Sequence, residues 1–367
     1  MRIVVFGASG FVGGWVCEVL AQRNDIEFVA CVRKWASAVR LARRAVDIRL
    51  ADLEGTSGLP AILTGADAVI NAAMPPSSRE PELVTALYRA CVNAGVRRFV
   101  QFSSAAVYGN ITGDVNEDVV PAPIDDYSRA KVEMERRLTA AAQGSATRLF
   151  LFRPSIVYGP FGDAWSVRYA QRIVKGRWRE LGHAGNGTCN LVHGQDVAQA
   201  AIAAATADLA PGTYVLNLNG PDVVSWNQYI ERLGDTLGTP DRLRPNIAWF
   251  RGMAIAAETM RAAAQFSPVR WLYRKSAGTT RAAMKNAQAV TKLYPSLSEL
   301  NLLGRKVHYS AERAAMILRI TPSISLVDGL CQFAAWCRVH GIVQVGPSLV
   351  RTGVTKDACY GTSRRTA

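Results

Sequence analysis

RIVVFGASGFVG, residues 2–13, is the stretch that decides the fold. The apolar residues from Ile3 to Phe6 are typical of a short buried strand. Glycines then recur every three residues before WVCEVLAQR continues with helical spacing. A strand, a glycine-rich turn and a helix in this order predict a turn whose helix N-terminus faces a phosphate group. The residues of this turn predicted to bind a cofactor are Gly7, Ser9, Gly10, Phe11, Val12 and Gly13.

Each glycine of the turn has its own physical task. Gly7 permits the tight turn, Gly10 lets a pyrophosphate approach the backbone, and Gly13 lets the helix pack close to the strand. The spacing Gly-x-x-Gly-x-x-Gly differs from the Gly-x-Gly-x-x-Gly of simple dehydrogenases. A strand-to-helix turn without any ligand is the alternative interpretation.

Strands and helices alternate in the residues that follow. Apolar runs typical of strands occupy residues 26–32, 47–51, 67–71 and 98–102, and a helical apolar stripe covers residues 80–93. This order predicts an α/β fold, a Rossmann-type doubly wound parallel sheet with a smaller C-terminal substrate-binding α/β region. Ligands of such sheets bind at the carboxyl edge of the strands.

The chain divides into three predicted regions. We expect residues 1–160 to form an NAD(P)-binding Rossmann domain, residues 161–343 a mostly helical substrate-binding region interleaved with the core, and residues 344–367 a disordered tail. Within the second region we expect a helix at residues 165–174, an alanine-rich helix capped by Asp196, and a strand at residues 213–218. Ser225 is predicted to begin a further helix, and residues 326–339 are predicted to form the closing helix.

The second predicted strand ends at Arg33 and Lys34, and these residues bear on the choice of cofactor. An acidic residue near this position accepts the ribose hydroxyls of NAD, whereas an arginine accommodates the 2′-phosphate of NADP. Arg33, helped by Lys34 or Arg40, therefore favours NADP over NAD, with an exposed basic loop as the structural alternative. Further predicted cofactor contacts follow the next strands, namely Asp52 and Leu53 near the adenine, then Asn71, Ala72 and Ala73.

A second chemical motif lies between Ser103 and Lys131. SSAAVYG follows the strand at residues 98–102, and Tyr127 stands four residues before Lys131, so on a helix the two share one face. A phenol is a poor base at neutral pH, because its pKa lies near ~10, and a fixed cation beside it favours the phenolate. Ser104 could then hold a carbonyl or alcohol oxygen while Tyr127 transfers the proton. On its own, Tyr-x-x-x-Lys is more often an ordinary solvated helix face.

Composition excludes several classes of protein. The 367 residues are 49% hydrophobic and 20% charged, which is typical of a folded chain. No apolar run reaches the ~18 residues that span a bilayer, and the N-terminal run is too short for a signal peptide. Seven cysteines and four histidines lack the spacing of metal ligands. We therefore expect no metal, reduced thiols and a cytoplasmic location.

The net charge of +14 lies mainly in the last third of the chain. Residues 241–367 contain 19 Lys and Arg against 6 Asp and Glu. Such a region could hold a phosphorylated substrate, contact an anionic membrane or be a solvated face, and the last is the default. The sequence has no nucleic-acid-binding motif, so we expect a small-molecule substrate and no nucleic acid. An apolar stripe at residues 246–266 could make peripheral membrane contact, although a lid or a dimer contact is favoured.

Several motifs appear in an order that resembles the NAD-dependent epimerase/dehydratase family of the extended short-chain dehydrogenase/reductase superfamily. They are the glycine turn, Asp52-Leu53, Asn71-Ala-Ala, SSAAVYG, Tyr127-x-x-x-Lys131 and RPSIVYGP at residues 153–160. The resemblance implies that Ser104 and Tyr127 are catalytic, with Tyr127 as the acid/base opposite a hydride-carrying nicotinamide. It implies that Lys131 assists Tyr127 and holds the nicotinamide ribose, and that the chain forms a homodimer. Ser103, Tyr127, Lys131 and Pro154 complete the predicted cofactor contacts.

The chain departs from the family pattern at several positions. Ser155 stands where nucleotide-sugar members often carry Asn, and their Asn-x-x-Gly-Thr segment is missing between Pro81 and Cys91. Ala105 and Ala106 replace the acidic residues with which dehydratases expel water. The resemblance thus implies an oxidoreductase or epimerase acting on a carbonyl or secondary alcohol, such as that of a nucleotide sugar. An NADPH-dependent ketoreductase or hydroxysteroid-type dehydrogenase and a non-catalytic cofactor-binding regulator are the alternatives.

Overall fold

The computed structural model describes residues 1–43, 46–55, 58–175, 178, 181–239, 248, 251–252, 254–256, 258–259 and 295–343. The chain divides into two compact units. The first contains Met1–Tyr158, Asn190–Asp222 and Val307–Ser325, and the second contains Gly159–Cys189, Val223–Lys306 and Leu326–Ala367. The first unit therefore includes two segments that follow residue 160. Most of residues 246–266 and all of residues 344–367 lie outside the described residues, so the predictions for these segments stay predictions.

Within the described ranges the strands are β1 (Arg2–Phe6), β2 (Glu27–Val32), β3 (Asp47–Leu50), β4 (Ala68–Asn71), β5 (Arg98–Phe102), β6 (Gly113–Val115), β7 (Arg148–Pro154), β8 (Ile156–Tyr158), β9 (Thr188–His193), β10 (Thr213–Leu218), β11 (Val223–Ser225) and β12 (Val307–Tyr309). The α-helices are α1 (Phe11–Leu20), α2 (Leu59–Leu63), α3 (Glu80–Asn93), α4 (Asp126–Ala141), α5 (Arg168–Val174), α6 (Gly194–Thr206), α7 (Trp226–Thr236), α8 (Leu297–Gly304), α9 (Glu312–Leu318) and α10 (Leu326–His340). None of these helices is long and apolar enough to cross a membrane.

Seven strands of the first unit form one parallel sheet in the order β3-β2-β1-β4-β5-β7-β10. The register places Val4 of β1 between Val29 of β2 and Val69 of β4. The chain builds one half of the sheet outward from β1 and then returns to build the other half from β4. The predicted α/β doubly wound fold is therefore confirmed. Its strand order reverses between β1 and β4, where ligands of such sheets bind at the carboxyl ends.

Helices cover both faces of this sheet, which explains why β1 reads as one continuous apolar run. Ile3 and Val5 belong to the apolar layer that also holds buried residues of α1 and α6. Val4 and Phe6 belong to the opposite layer, with buried residues of α3 and α4. Because successive side chains of a strand point to opposite faces, β1 contributes to both layers.

The second unit contains a cluster of aromatic rings. Trp226, at the start of α7, lies with its ring centroid 5.6 Å from that of Trp165 and 5.8 Å from that of Tyr169. Ser225 caps α7, so this predicted helix start is confirmed. The helix predicted at residues 165–174 begins earlier, and its first turn, Asp163–Val167, is π-helical before α5. The Tyr229 hydroxyl donates a hydrogen bond to the Trp165 carbonyl, so this carbonyl of the π-helical turn has a partner outside its own helix.

The cap of α6 is His193, so the prediction of Asp196 as the cap was wrong. His193 Nδ1 accepts the backbone N–H of Gln195 at 3.3 Å, whereas Asp196 lies inside the first turn. The Asp196 carboxylate instead accepts the backbone N–H groups of Ser323 at 3.0 Å and Ile324 at 3.2 Å. Asp196 therefore ties the late segment Val307–Ser325 to α6 within the first unit, a long-range role that a local capping pattern does not reveal.

The turn after β1 depends on glycine at two positions. Gly7 has a φ of +72°, and a Cβ at this residue would lie 2.4 Å from the backbone nitrogen of Ala73. A Cβ at Gly13 would lie 2.2 Å from the carbonyl oxygen of Gly7. Both separations are far shorter than van der Waals contact, so any larger residue would push the backbone apart. The turn thus packs directly against the chain that leaves β4.

Gly7→Ala should destabilise the protein more than Gly95→Ala, although both glycines have similar positive φ values, +72° and +74°. Gly95 has open space around its Cβ position, so its substitution adds only the left-handed backbone strain of about 1–2 kcal/mol. Gly7→Ala adds a collision that costs about 1–3 kcal/mol more. Urea unfolding measures the free energy of unfolding of both variants. Equal losses of stability in Gly7→Ala and Gly95→Ala would contradict the close packing at Gly7.

Candidate active site

The N-terminus of α1 is suited to hold a phosphate group. Gly10 is the N-cap residue and supplies no side-chain cap, so the N–H groups of Phe11, Val12 and Gly13 have no acceptor within the helix. Ser9 lies half-buried in the same turn. A negative charge at this position is favoured by the partial positive charge of the helix N-terminus. The close backbone packing and the free first turn fit the pyrophosphate of a dinucleotide.

Arg33 and Lys34 follow the carboxyl end of β2 and are exposed. Neither side chain makes an ion pair with any residue in the described part of the chain. Arg40 differs, because its Nε lies 2.7 Å from Glu18 Oε1 and its guanidinium lies 5.6 Å from the centroid of the Trp15 ring. Of the three basic residues predicted to favour NADP, Arg33 and Lys34 are therefore the ones exposed to solvent, whereas Arg40 is held by Glu18.

Two of the residues predicted to contact the cofactor bury their side chains in the protein. Leu53 is part of the apolar layer beneath the sheet. Asn71 is fully buried, and its Nδ2 donates to Gln101 Oε1 at 2.7 Å while its Oδ1 accepts the Ala73 N–H at 3.2 Å. Asp52 is exposed, and Ala72 and Ala73 are half-buried beside the glycine turn. The side chains of Leu53 and Asn71 therefore make contacts inside the protein, and their predicted contact with a cofactor stays a prediction.

Ser103 and Ser104 follow the carboxyl end of β5. Ser103 is buried, and its Oγ makes no hydrogen bond with any described residue. Ser104 is half-buried, and its Oγ accepts the Ala106 N–H at 3.1 Å. Since a hydroxyl is both donor and acceptor, the Ser104 O–H is still able to donate to a substrate oxygen. Pro154 ends β7 in a buried position.

Tyr127 and Lys131 lie on the same face of α4. A reciprocal cap fixes the start of this helix: Asp125 accepts the Ser128 N–H at 2.7 Å, and Ser128 Oγ accepts the Asp125 N–H at 3.1 Å. Lys131 Nζ lies 5.6 Å from the centroid of the Tyr127 ring. Tyr127 is 37% exposed, whereas Lys131 is 3% exposed, so the cation lies beneath a phenol that solvent reaches.

Glu80 is a buried partner of Lys131 that the sequence analysis missed. It begins α3 and is 1% exposed, and its Oε1 lies 2.7 Å from Lys131 Nζ. Lys131 also donates to the carbonyl of Phe102, at the end of β5, at 3.2 Å. Glu80 precedes Lys131 by 51 positions, so no local spacing connects the two residues.

A second buried network lies one turn further along α4. Glu135 accepts two hydrogen bonds from the Arg153 guanidinium, at 3.0 and 2.6 Å, and Arg153 also donates to the Tyr108 hydroxyl at 2.9 Å. Tyr108 in turn donates to Asn217 Oδ1 at 2.8 Å. The network joins α4, β7, β10 and the SSAAVYG segment. Glu135 stands four residues after Lys131, so a search for polar residues on the Tyr127 face could have found it.

Several ionisable groups of the first unit are unsuited to catalysis because they are buried. Burial lowers the pKa of His193 to about 4, which keeps this helix-capping imidazole neutral. Burial raises the pKa of Cys17 and Cys31 to about 12, so neither thiol is a nucleophile at neutral pH. In the described part of the chain no group of three or more His, Cys, Asp or Glu residues could hold a metal ion.

The strand order, the glycine turn and the free first turn of α1 define a Rossmann-type dinucleotide-binding unit. The NAD dependent epimerase/dehydratase family matches residues 3–217, which is more than half of the chain. This chain therefore belongs to the NAD dependent epimerase/dehydratase family.

Curated relatives match either part or nearly all of the chain. UDP-glucose 4-epimerase of Vibrio cholerae is 29% identical over 194 residues, which are 47% of this chain and 57% of that protein. The match thus spans little more than half the length of that epimerase. The uncharacterized protein YbjS of Escherichia coli (strain K12) is 23% identical over 358 residues, which are 93% of this chain and 99% of that protein.

Solved structures share the fold over most of the chain. UDP-glucuronic acid 4-epimerase from Bacillus cereus, in complex with NAD, has a TM-score of 0.68 at 18% identity and covers 93% of this chain and 99% of that one. UDP-glucose 4-epimerase from Thermotoga maritima, with UDP-glucose, has a TM-score of 0.67 at 20% identity with the same coverage. At these identities the similarity establishes the common fold.

Glu135→Gln should destabilise the protein far more than Glu133→Gln on the same helix. Glu135 and Arg153 are both buried, so the amide would leave Arg153 without its counter-charge, at a cost of about 3–5 kcal/mol. Glu133 pairs with exposed Arg136 and Arg137, and its loss should cost under about 1 kcal/mol. Chemical unfolding of the three proteins measures the difference, and similar losses for both variants would contradict the structural role of the buried pair.

Proposed function

We propose that this chain is an NAD(P)-dependent oxidoreductase or epimerase that acts on a carbonyl or secondary alcohol of a nucleotide sugar. The observation that carries the proposal is the exposed Tyr127 phenol above the buried Lys131 ammonium, within the unit that contains the glycine turn. Family membership supports hydride chemistry. The nucleotide-sugar substrate is inferred from relatives named as UDP-sugar 4-epimerases.

The residues of the site divide the chemistry between them. In the oxidation direction Tyr127 accepts the proton of the substrate hydroxyl, and in the reduction direction it returns a proton to the carbonyl oxygen. Ser104 donates a hydrogen bond to the same oxygen. The nicotinamide, when bound, accepts or supplies the hydride at carbon. When the cofactor is bound, the first turn of α1 would hold the pyrophosphate, and Lys131 would hold the ribose and assist Tyr127.

Two narrower versions of this function differ in how they treat the cofactor. An epimerase keeps an oxidised cofactor and performs no net redox reaction, whereas a ketoreductase or hydroxysteroid-type dehydrogenase consumes free NADPH. The exposed pair Arg33 and Lys34 favours NADP and so supports the reductase as the second candidate. Assaying the purified protein for bound nicotinamide and for NADPH consumption with a panel of carbonyl compounds separates the two. The cytoplasmic location and the homodimer inferred from sequence belong to the same proposal.

Tyr127→Phe should lower turnover of UDP-sugar or carbonyl substrates by about 10²–10⁴-fold while cofactor binding is retained, because only the proton-transferring oxygen is removed. Tyr214→Phe is the matched control, since among the described residues the Tyr214 hydroxyl bonds only the Ala210 carbonyl, at 2.8 Å, in an exposed part of the same unit. Steady-state kinetics measure turnover, and cofactor fluorescence measures cofactor binding. Wild-type turnover in Tyr127→Phe would refute the proposed role, and a wild type inactive on every substrate would favour the regulatory alternative.

Arg33→Ala should weaken NADP binding by about 10–100-fold and leave NAD binding unchanged, because a charge-assisted hydrogen bond to the 2′-phosphate is lost. Arg49→Ala is the control, as Arg49 is an exposed arginine on the adjacent strand β3, paired with Asp47. Calorimetric titration of both cofactors into the three proteins measures the change. Equal NADP affinity in wild type and Arg33→Ala would remove Arg33 from cofactor recognition.

A further inference from the structure

The buried ion pair between Glu80 and Lys131 has a consequence for the proton chemistry of Tyr127. A carboxylate that is 1% exposed must be compensated, since burial of an unpaired charge costs several kcal/mol. Two features compensate Glu80: its position in the first turn of α3, where the helix favours negative charge, and the Lys131 ammonium at 2.7 Å. Lys131 therefore has its own counter-charge inside the protein before any ligand binds.

The contacts of Lys131 leave one N–H group of its ammonium for a ligand. An ammonium carries three N–H groups, and those toward Glu80 and the Phe102 carbonyl occupy two of them. The third makes no hydrogen bond with a residue in the described ranges. Two anchors, one from α3 and one from the end of β5, therefore hold Nζ beneath Tyr127 and leave one donor for a ligand.

The electrostatic effect follows from the same distances. The Lys131 charge lies 5.6 Å from the centroid of the Tyr127 ring and would favour a negative phenol oxygen. The Glu80 carboxylate lies only 2.7 Å from the same nitrogen and acts on the phenol in the opposite sense. Tyr127 therefore faces a charge pair rather than an isolated cation.

Other charged groups packed around this face are paired with one another. Glu135 and Arg153 form the buried pair one turn along α4, and Tyr108 is bonded to Arg153. At the helix starts, Asp126 pairs with Arg129 and Arg79 with Glu82 at the surface, and Asp125 accepts the Ser128 N–H. Among the residues that the structure describes, Glu80 is thus the carboxylate in direct contact with Lys131.

We propose that Glu80 is a positioning residue for the reaction: its carboxylate anchors Lys131 and offsets part of the ammonium charge, so that Tyr127 is held as a proton donor for a carbonyl substrate. This inference rests on the proposed hydride-transfer function. In the reduction direction Tyr127 gives its proton to the carbonyl oxygen, and a bound reduced nicotinamide would supply the hydride at the carbonyl carbon and be left oxidised. The product is the alcohol, and Tyr127, which is 37% exposed, regains its proton from water.

The test measures Tyr127 ionisation directly, so it does not depend on finding a substrate. The ultraviolet difference between a protein and its Tyr127→Phe counterpart, recorded against pH, gives the midpoint at which Tyr127 becomes a phenolate. We expect Glu80→Gln to move this midpoint to lower pH, because the ammonium then acts without its counter-charge. Glu82→Gln is the matched control on α3, as the Glu82 side chain is 65% exposed and should leave the midpoint unchanged.

An unchanged midpoint in a folded Glu80→Gln protein would overturn the proposal and leave Glu80 as a purely structural residue. If Glu80→Gln does not fold, Glu80→Asp decides, since its carboxylate is one methylene shorter and should move the midpoint in the same direction by less. An unmoved midpoint in Glu80→Asp would then overturn the proposal. A wild type that transfers no hydride would contradict the proposed function, whereas the titration would still decide the role of Glu80.

Discussion

The burial of charge along helix α4 is the constraint on which the candidate site depends. Lys131 and Glu135 stand one turn apart on this helix and are both buried, so each needs an opposite charge from another element. Glu80 at the start of α3 compensates Lys131, and Arg153 on β7 compensates Glu135. Since an ion pair of this kind requires close contact, the two pairs hold α4 against both neighbours. Tyr127, one turn before Lys131, takes its position from this arrangement.

A second constraint acts at the glycine turn between β1 and α1. The absence of side chains at Gly7 and Gly13 lets α1 begin close to β1 and beside the chain leaving β4. Because β1 and β4 are neighbours at the reversal of strand order, the free N–H groups of α1 open onto the carboxyl edge of the sheet. Ser103 and Ser104 leave β5, the next strand, at that same edge. Parallel strands thus bring together residues that lie far apart in sequence.

Local patterns predicted the regular elements closely. The bounds of β1, α3, β5 and β10 agree with the sequence patterns. A continuous apolar run indicates a strand that is buried on both faces, and an apolar stripe at helical spacing indicates a helix that is buried on one face. One prediction failed because a distant partner intervened. Asp196 carries the usual chemistry of a cap, yet its carboxylate serves Ser323 and Ile324, more than a hundred residues later. Asn71 also has a distant partner, because its amide donates to Gln101 inside the sheet, and its predicted contact with a cofactor stays a prediction.

The amino-acid sequence by itself determined the class of fold, the glycine turn and the Tyr127 and Lys131 pair, because each depends on spacings of a few residues along one strand, turn or helix. Only the tertiary structure decided which charges compensate the site. Glu80 contacts Lys131 because α3 packs beside α4, and nothing in the residues around position 80 specifies that contact. The sequence therefore predicts a cation beneath a phenol, and the fold adds the buried carboxylate that opposes it. The physical reason is that backbone periodicity is local, whereas the pairing of buried charges is set by which elements the folded chain brings within a few ångströms.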